Sequence, residues 1–206
     1  MCPFCYIGKR KFENALDQFY HKADVEVVWK SFQLDPNLKT DAKTTINQML
    51  ADKKGWSLDY AKEMSLHVTN IAEQVGLVYN LDEAVVANSF DAHRFIHLAK
   101  KYNLQNEAEE RLFKAYFTEG ENTADKDTII QLGMEIGLNP ELVKQMLESD
   151  EYAEDVKNDI QEAQQVGVGG VPYFLINDKY SISGAQESNT FLNALNEIWD
   201  EFNKQH

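Results

Sequence analysis

Apolar and polar positions along this chain recur with a helical period over most of its length, and with a strand period in a few short stretches. Near the start, GKRKFENALDQFYHK places Phe12, Leu16 and Phe19 four and three apart, which is one apolar face of a helix. The segment DVEVVWKSFQ, residues 24–33, alternates and is rich in β-branched and aromatic residues. It predicts a strand that ends before the turn-prone LDPN around Pro36. Helix then strand is half of a βαβ unit.

From residue 39 to residue 165 the strand period fades and amphipathic helical segments follow one another. The spacing predicts helices over 45–52 and 57–74, the second capped by Ser57 or Asp59 and carrying Met64, Leu66, Val68, Ile71 and Val75. Further helices are expected over 88–102, 106–119, 126–136, 140–148 and 150–165, separated by short Gly, Asn or Thr turns. No register recurs at a fixed period, so this is a helical block and not a repeat array. The ending changes character again. GVGGVPYFLINDKYSISGAQ predicts a β-hairpin, with strands over 173–176 and 180–183 and a turn at Asn177 and Asp178. After Gly184, Phe191, Leu192, Leu195, Ile198, Trp199 and Phe202 mark a closing amphipathic helix.

Length and charge narrow the function classes. The chain has 206 residues, enough for one domain with a large insertion, and a net charge of -14 with a pI near 4.7. Such a field repels phosphate backbones and anionic lipid surfaces, so neither nucleic acid nor a membrane surface is an expected partner. Acidic runs such as NEAEER and ESDEYAED read as solvated helix faces. No apolar run approaches the roughly 18 residues of a spanning helix, and no basic stretch with an apolar core opens the chain. The cytoplasm is the expected compartment.

The chemistry is concentrated in the opening CPFC. Both cysteines of the chain, Cys2 and Cys5, lie there two residues apart. Such a pair can be a redox couple, half of a zinc site, or two unremarkable thiols. As a disulfide it closes too small a loop to staple a fold, so a bond between them would serve chemistry. Pro3 falls where a first-turn proline loses no hydrogen bond, which leaves Cys2 facing the unpaired N–H groups at the positive end of the helix. That placement favours the Cys2 thiolate, the form that attacks disulfides, and leaves Cys5, one turn further in, to resolve the mixed disulfide. Lys9 and Arg10 add positive charge nearby, although such side chains on an exposed helix mostly solvate.

On these residues the chain resembles the FrnE-like branch of the DsbA family, thioredoxin-fold thiol-disulfide oxidoreductases with a helical insertion. CPFCYIGKRKFE is similar to the active-site helix, FQLDPN to the turn after the following strand, NSFDAHRFIHLAKKY to a helix of the insert, and GVGGVPYFLINDKYSISGAQ to the cis-proline loop and hairpin. The resemblance implies an α/β thioredoxin-like domain formed by residues 1–38 and 166–206, with 39–165 as an all-helical insertion. It implies that Pro172 is a cis-proline facing the cysteines and that Val171 pairs its backbone with an extended substrate. Pro3 and Phe4 between the cysteines join the substrate-contact candidates, and His93 is one by virtue of the insert covering that side. The family also has a strand directly before the CxxC helix, for which nothing precedes Met1 here. The expectation is that the first strand is missing from this chain, through a clipped N-terminus or a strand supplied by a partner.

Two rival chemistries stand beside the redox reading. Zinc could be held by Cys2 and Cys5 with His93 and His97, whose spacing of four puts both imidazoles on one helix face, but the separation of the pairs is far from finger-like. The expectation is no metal. A glutathione-linked isomerase or transferase is the second, because kappa-class transferases and hydroxychromene-carboxylate isomerases share the insertion architecture. Its glutathione would sit near Val171, Ala185 and Gln186, at the start of the last helix, where an anionic carboxylate suits a helix N-terminus. Those relatives usually carry serine in place of the nucleophilic cysteine, so keeping Cys2 and Cys5 favours dithiol exchange. No cofactor is expected beyond glutathione as a co-substrate. The partners expected are protein or small-molecule thiols and disulfides, with a homodimer open as an assembly.

Overall fold

The computed structural model describes residues 1–204. In chain order the elements are α1 (Pro3–Gln18), a 3-10 turn (Lys22–Asp24), β1 (Asp41–Thr45), α2 (Ile46–Lys54), α3 (Leu58–Glu73), β2 (Val85–Val86), α4 (Phe90–Lys101), α5 (Gln105–Phe117), α6 (Lys126–Glu135), α7 (Pro140–Glu148), α8 (Ala153–Val166), β3 (Tyr173–Ile176), β4 (Tyr180–Ser183) and α9 (Ser188–Lys204). They fall into two compact units. One holds Met1 and residues Trp29–Gly167, and the other holds Cys2–Val28 together with the chain from Val168 onward.

The second unit is α1, the β3–β4 hairpin and α9. Residues of alternate parity on a strand point to opposite faces. Phe174 pairs with Ile182 and both are half-buried, whereas Leu175 pairs with Ser181 and both are exposed. Asn177 and Asp178 turn the hairpin in the left-handed region, at φ 51° and 54°, which their short polar side chains tolerate. On the inner side Phe174 meets Phe12 of α1 and Phe191 of α9, the three ring centroids lying 4.6 to 5.6 Å apart. Further along α9, Trp199 packs edge-on to Phe19 and stacks on His21 at 4.0 Å. The helical face seen in the sequence is therefore spent on one aromatic seam.

The helical unit is built around α4, which packs against α5, α7 and α8. Its core includes Phe95, Leu112, Ile129, Leu132, Val143 and Met146, each at most 2% exposed. Caps end and start these helices as the sequence implies. Ser57 Oγ accepts from Tyr60 N, Asp125 from Thr128 N and Asn139 from Glu141 N, with Pro140 in the first turn of α7. Arg94 on α4 is 5% exposed, and each of its guanidinium nitrogens donates a hydrogen bond. It donates to the carbonyls of Met146, Ser149 and Glu151 and to Asp91, so it holds the open end of α7 and the turn that leads into α8.

The strand expected over residues 24–33 is not formed. A strand exists only with a neighbour to complete its ladder. Residues 25–33 take no regular secondary structure, and among the described residues no segment pairs with them. Side chains of the helical unit take that role for the latter part. Gln105 bonds both the N–H and the carbonyl of Trp29, and Asp159 Oδ2 accepts from Ser31 N at 2.9 Å. Residues 29–38 thus group with the helices. A second difference is the short β1–β2 ribbon inside the block expected to be purely helical. The first strand, DAKTT, is mostly polar with one apolar residue, and the second, VV, is two residues long, so neither carries an apolar alternation.

Candidate active site

Cys2 stands at the N-cap of α1 in extended conformation, at φ -101° and ψ 119°, with Pro3 following as the first helical residue. One turn on, the Cys5 N–H donates to the Cys2 carbonyl at 3.1 Å. The two cysteines are not joined in a disulfide and both are partly buried, and the Phe4 ring between them is 39% exposed. The opposite wall is the loop that enters β3. The Val171–Pro172 peptide is cis, and Cys2 Sγ donates to the Val171 carbonyl at 3.5 Å. The Gly184 N–H, just past β4, donates to the Pro172 carbonyl at 2.8 Å and ties this loop to the hairpin.

The surroundings acidify Cys2. Hydrogen bonding from the Cys5 side chain is the largest influence, and with the Cys5 and Phe4 amides it outweighs burial and lowers the Cys2 thiol from 9.0 to about 7. A substantial fraction of Cys2 is therefore thiolate at neutral pH. Lys9 and Arg10 both bond the Glu13 carboxylate, and Arg10 also lies over the Tyr6 ring at 4.9 Å.

The remaining sequence candidates have different fates. Ala185 lies against α1, its carbonyl accepting from Lys11 Nζ at 3.5 Å. Gln186 turns back on its own loop, with Nε2 on the Ser183 carbonyl and its N–H on Gly184. Both lie just before the last helix, which begins at Ser188. His93 belongs to α4 in the helical unit. Its Nδ1 is buried without a hydrogen-bond partner, and burial lowers its pKa from 6.5 to about 4, so the imidazole is neutral at physiological pH. His97, one turn further, shares its Nε2 between Ser31 Oγ at 3.1 Å and Asp159 Oδ2 at 3.0 Å. Among the described residues no group of three His, Cys, Asp or Glu side chains is placed as a metal site requires.

Two further features, one in each unit, carried weaker signals. Gly8 in the interior of α1 faces Pro172, and an isolated glycine in a helical pattern is the hint that could have flagged it. Asp159 anchors Ser31, His97 and Lys30 together. Burial opposes its charge, but those hydrogen bonds prevail and bring it to about 2. Its separation in sequence from its partners left no pattern to read.

Compared with known proteins, the sequence matches the DSBA-like thioredoxin domain over residues 1–196. The chain belongs to the DsbA-like thioredoxin family. It is 35% identical to the solved structure of a protein described as a probable DsbA oxidoreductase from Streptomyces coelicolor, with a TM-score of 0.92 over 97% of this chain and 86% of that one. It is 30% identical over 199 residues to protein YwbO of Bacillus subtilis, covering 96% of this chain and 92% of YwbO. A 2-hydroxychromene-2-carboxylate isomerase is similar at a TM-score of 0.69 and 14% identity, over 100% of this chain and 95% of the isomerase, a likeness of fold. In this DsbA-like chain no described helix is long and apolar enough to cross a membrane.

Proposed function

We propose that the chain is a thiol-disulfide oxidoreductase of the FrnE-like kind, in which Cys2 and Cys5 exchange a dithiol for a disulfide with protein or small-molecule substrates. The observation that carries the reading is the acidified Cys2 at the mouth of α1, 3.5 Å from the Val171 carbonyl. In the reducing direction the Cys2 thiolate attacks one sulfur of a substrate disulfide. The Cys2–substrate bond forms, the substrate S–S bond breaks, and the leaving thiolate takes up a proton. Cys5 then loses its proton and attacks Cys2 Sγ, which closes the Cys2–Cys5 disulfide and releases the second substrate thiol. Two electrons have passed from the protein to the substrate. In the oxidising direction the same steps run backwards from a substrate dithiol.

The Val171 backbone offers an extended peptide a strand-like partner beside Cys2, and Pro3, Phe4 and Pro172 offer it an apolar wall. Glutathione fits the same chemistry as a small co-substrate. The glutathione-dependent isomerase reading rests on a likeness of fold, whereas the pairing of Cys2 with Cys5 is what two-step exchange needs. The test is a pair of variants in an insulin-disulfide reduction or scrambled-ribonuclease assay. Cys2→Ser is expected to lower exchange by about 1,000-fold or more, as loss of a nucleophile does. Cys5→Ser is expected to accumulate mixed disulfides through Cys2. Unchanged turnover in both variants would overturn the reading, and glutathione-dependent turnover that survives Cys5→Ser would transfer it to the isomerase class.

A further inference from the structure

Resting on that reading of Cys2 as the attacking thiol, we propose that Gly8 is a positioning residue that sets the distance between Cys2 and the Val171–Pro172 loop. Gly8 lies in the interior of α1, where glycine is less favourable than alanine. Its helical neighbours Tyr6, Ile7 and Lys9 are buried with it, so no solvent-facing reason accounts for the missing side chain. The reason is visible opposite. A methyl group on Gly8 would lie 2.9 Å from Pro172 Cγ, and 3.5 Å from both Ala185 Cβ and Phe174 Cζ. The cis-proline loop, the first hairpin strand and the segment after the hairpin all converge on one bare Cα.

Of these three neighbours Pro172 is the one that cannot give way freely. Its Cγ belongs to a closed ring, and its carbonyl is held by the Gly184 N–H at 2.8 Å. One peptide before it, the Val171 carbonyl accepts from Cys2 Sγ at 3.5 Å. A push of a few tenths of an ångström on Pro172 therefore reaches the group that faces the thiol. Phe12 further along α1 keeps the helix in register through Phe174 and Phe191, so the helix does not simply retreat.

The sign follows from the hydrogen bond. The Val171 carbonyl bonds the protonated thiol and opposes the thiolate, so moving it away acidifies Cys2 further. It also takes the peptide-pairing groups of Val171 out of register with the nucleophile. Gly8→Ala is expected to move the pH midpoint of Cys2 alkylation, followed by peptide mass spectrometry, downward by about half a unit. It should also reduce kcat/KM for a disulfide-bonded peptide about tenfold. The deciding measurement is a double-mutant cycle on the alkylation midpoint. Pro172→Ala removes the Cγ that Gly8→Ala would strike, so in that background Gly8→Ala should leave the midpoint where Pro172→Ala alone puts it.

A Gly8→Ala midpoint equal to wild type overturns the proposal, because the helix-propensity role alone predicts that result. So does a shift of the same size with and without Pro172→Ala. Should Gly8→Ala fail to fold alone while Gly8→Ala/Pro172→Ala folds, judged by circular dichroism, the coupling is upheld. Failure of both to fold while Pro172→Ala folds overturns it. The midpoint reads Cys2 acidity and not exchange, so a coupled shift in a protein without exchange activity would sink the proposed function and leave Gly8's role standing.

Discussion

The two units differ in how large a core they build. In the helical unit, Phe95, Leu112, Ile129, Val143 and Met146 are wholly enclosed, and the buried guanidinium of Arg94 donates from each of its nitrogens. In the other unit the core is smaller, with Ile7, Ala15, Phe19, Leu195 and Ile198 buried beside an aromatic seam of Phe12, Phe174 and Phe191. Cys2 and Cys5 sit on the unit with the smaller core. The lesson is a division of labour, with chemistry placed where a thiol can be reached and bulk burial placed where nothing needs to reach.

That contrast can be broken from either side. Phe191→Ala removes the centre of the seam and is expected to cost about 3–5 kcal/mol. It should also disturb Cys2, so the alkylation midpoint moves along with the denaturant midpoint. Arg94→Ala is expected to cost a similar 3–5 kcal/mol, because the Met146, Ser149 and Glu151 carbonyls lose their donor and Asp91 its charge partner. In that variant the Cys2 alkylation midpoint should stay near pH 7 at temperatures where the protein is folded. An Arg94→Ala shift as large as that of Phe191→Ala would dissolve the distinction between the units.

A smaller effect is confined to acid. His93 is neutral when folded, with a pKa of about 4 against 6.5 unfolded. Its contribution to stability is whole above pH 6.5 and is lost as the pH falls towards 4, by up to about 3 kcal/mol. Denaturant melts should show His93→Gln losing less stability than wild type over that window. Asp159, brought to about 2 from 3.8, governs a lower one, where stability is lost as the pH falls from 3.8 towards 2. Parallel curves for wild type and His93→Gln between pH 6.5 and 4 would mean that the imidazole is not held neutral.

Local signals made much of this legible from the sequence. Helical periodicity placed the helices to within a few residues, and the apolar run YFLI with its Asn-Asp turn gave the hairpin its observed bounds. Pro3 after Cys2 announced the start of α1 because a first-turn proline needs no amide. What failed was what depends on a distant partner. VEVVW has every strand propensity, but a ladder needs a neighbour, and Gln105 and Asp159 are far from it in sequence. The approach of Gly8 to Pro172 left only an isolated glycine as a trace, and the sharing of His97 between Ser31 and Asp159 left none. The placement of Pro172 among the site residues came from the likeness of whole segments to a family, since a proline after GGV alone reads as a strand start.

The central claim is that Cys2 and Cys5 form one reversible redox couple, and a redox titration tests it most directly. Protein equilibrated in glutathione buffers, trapped with an alkylating agent and weighed by mass spectrometry should show both thiols lost together as a single intramolecular disulfide. The transition should follow a two-electron Nernst curve, with a tenfold change in the equilibrium for about 30 mV. Thiols that oxidise independently, or a stable glutathione adduct on Cys2 that Cys5 never displaces, would contradict the account.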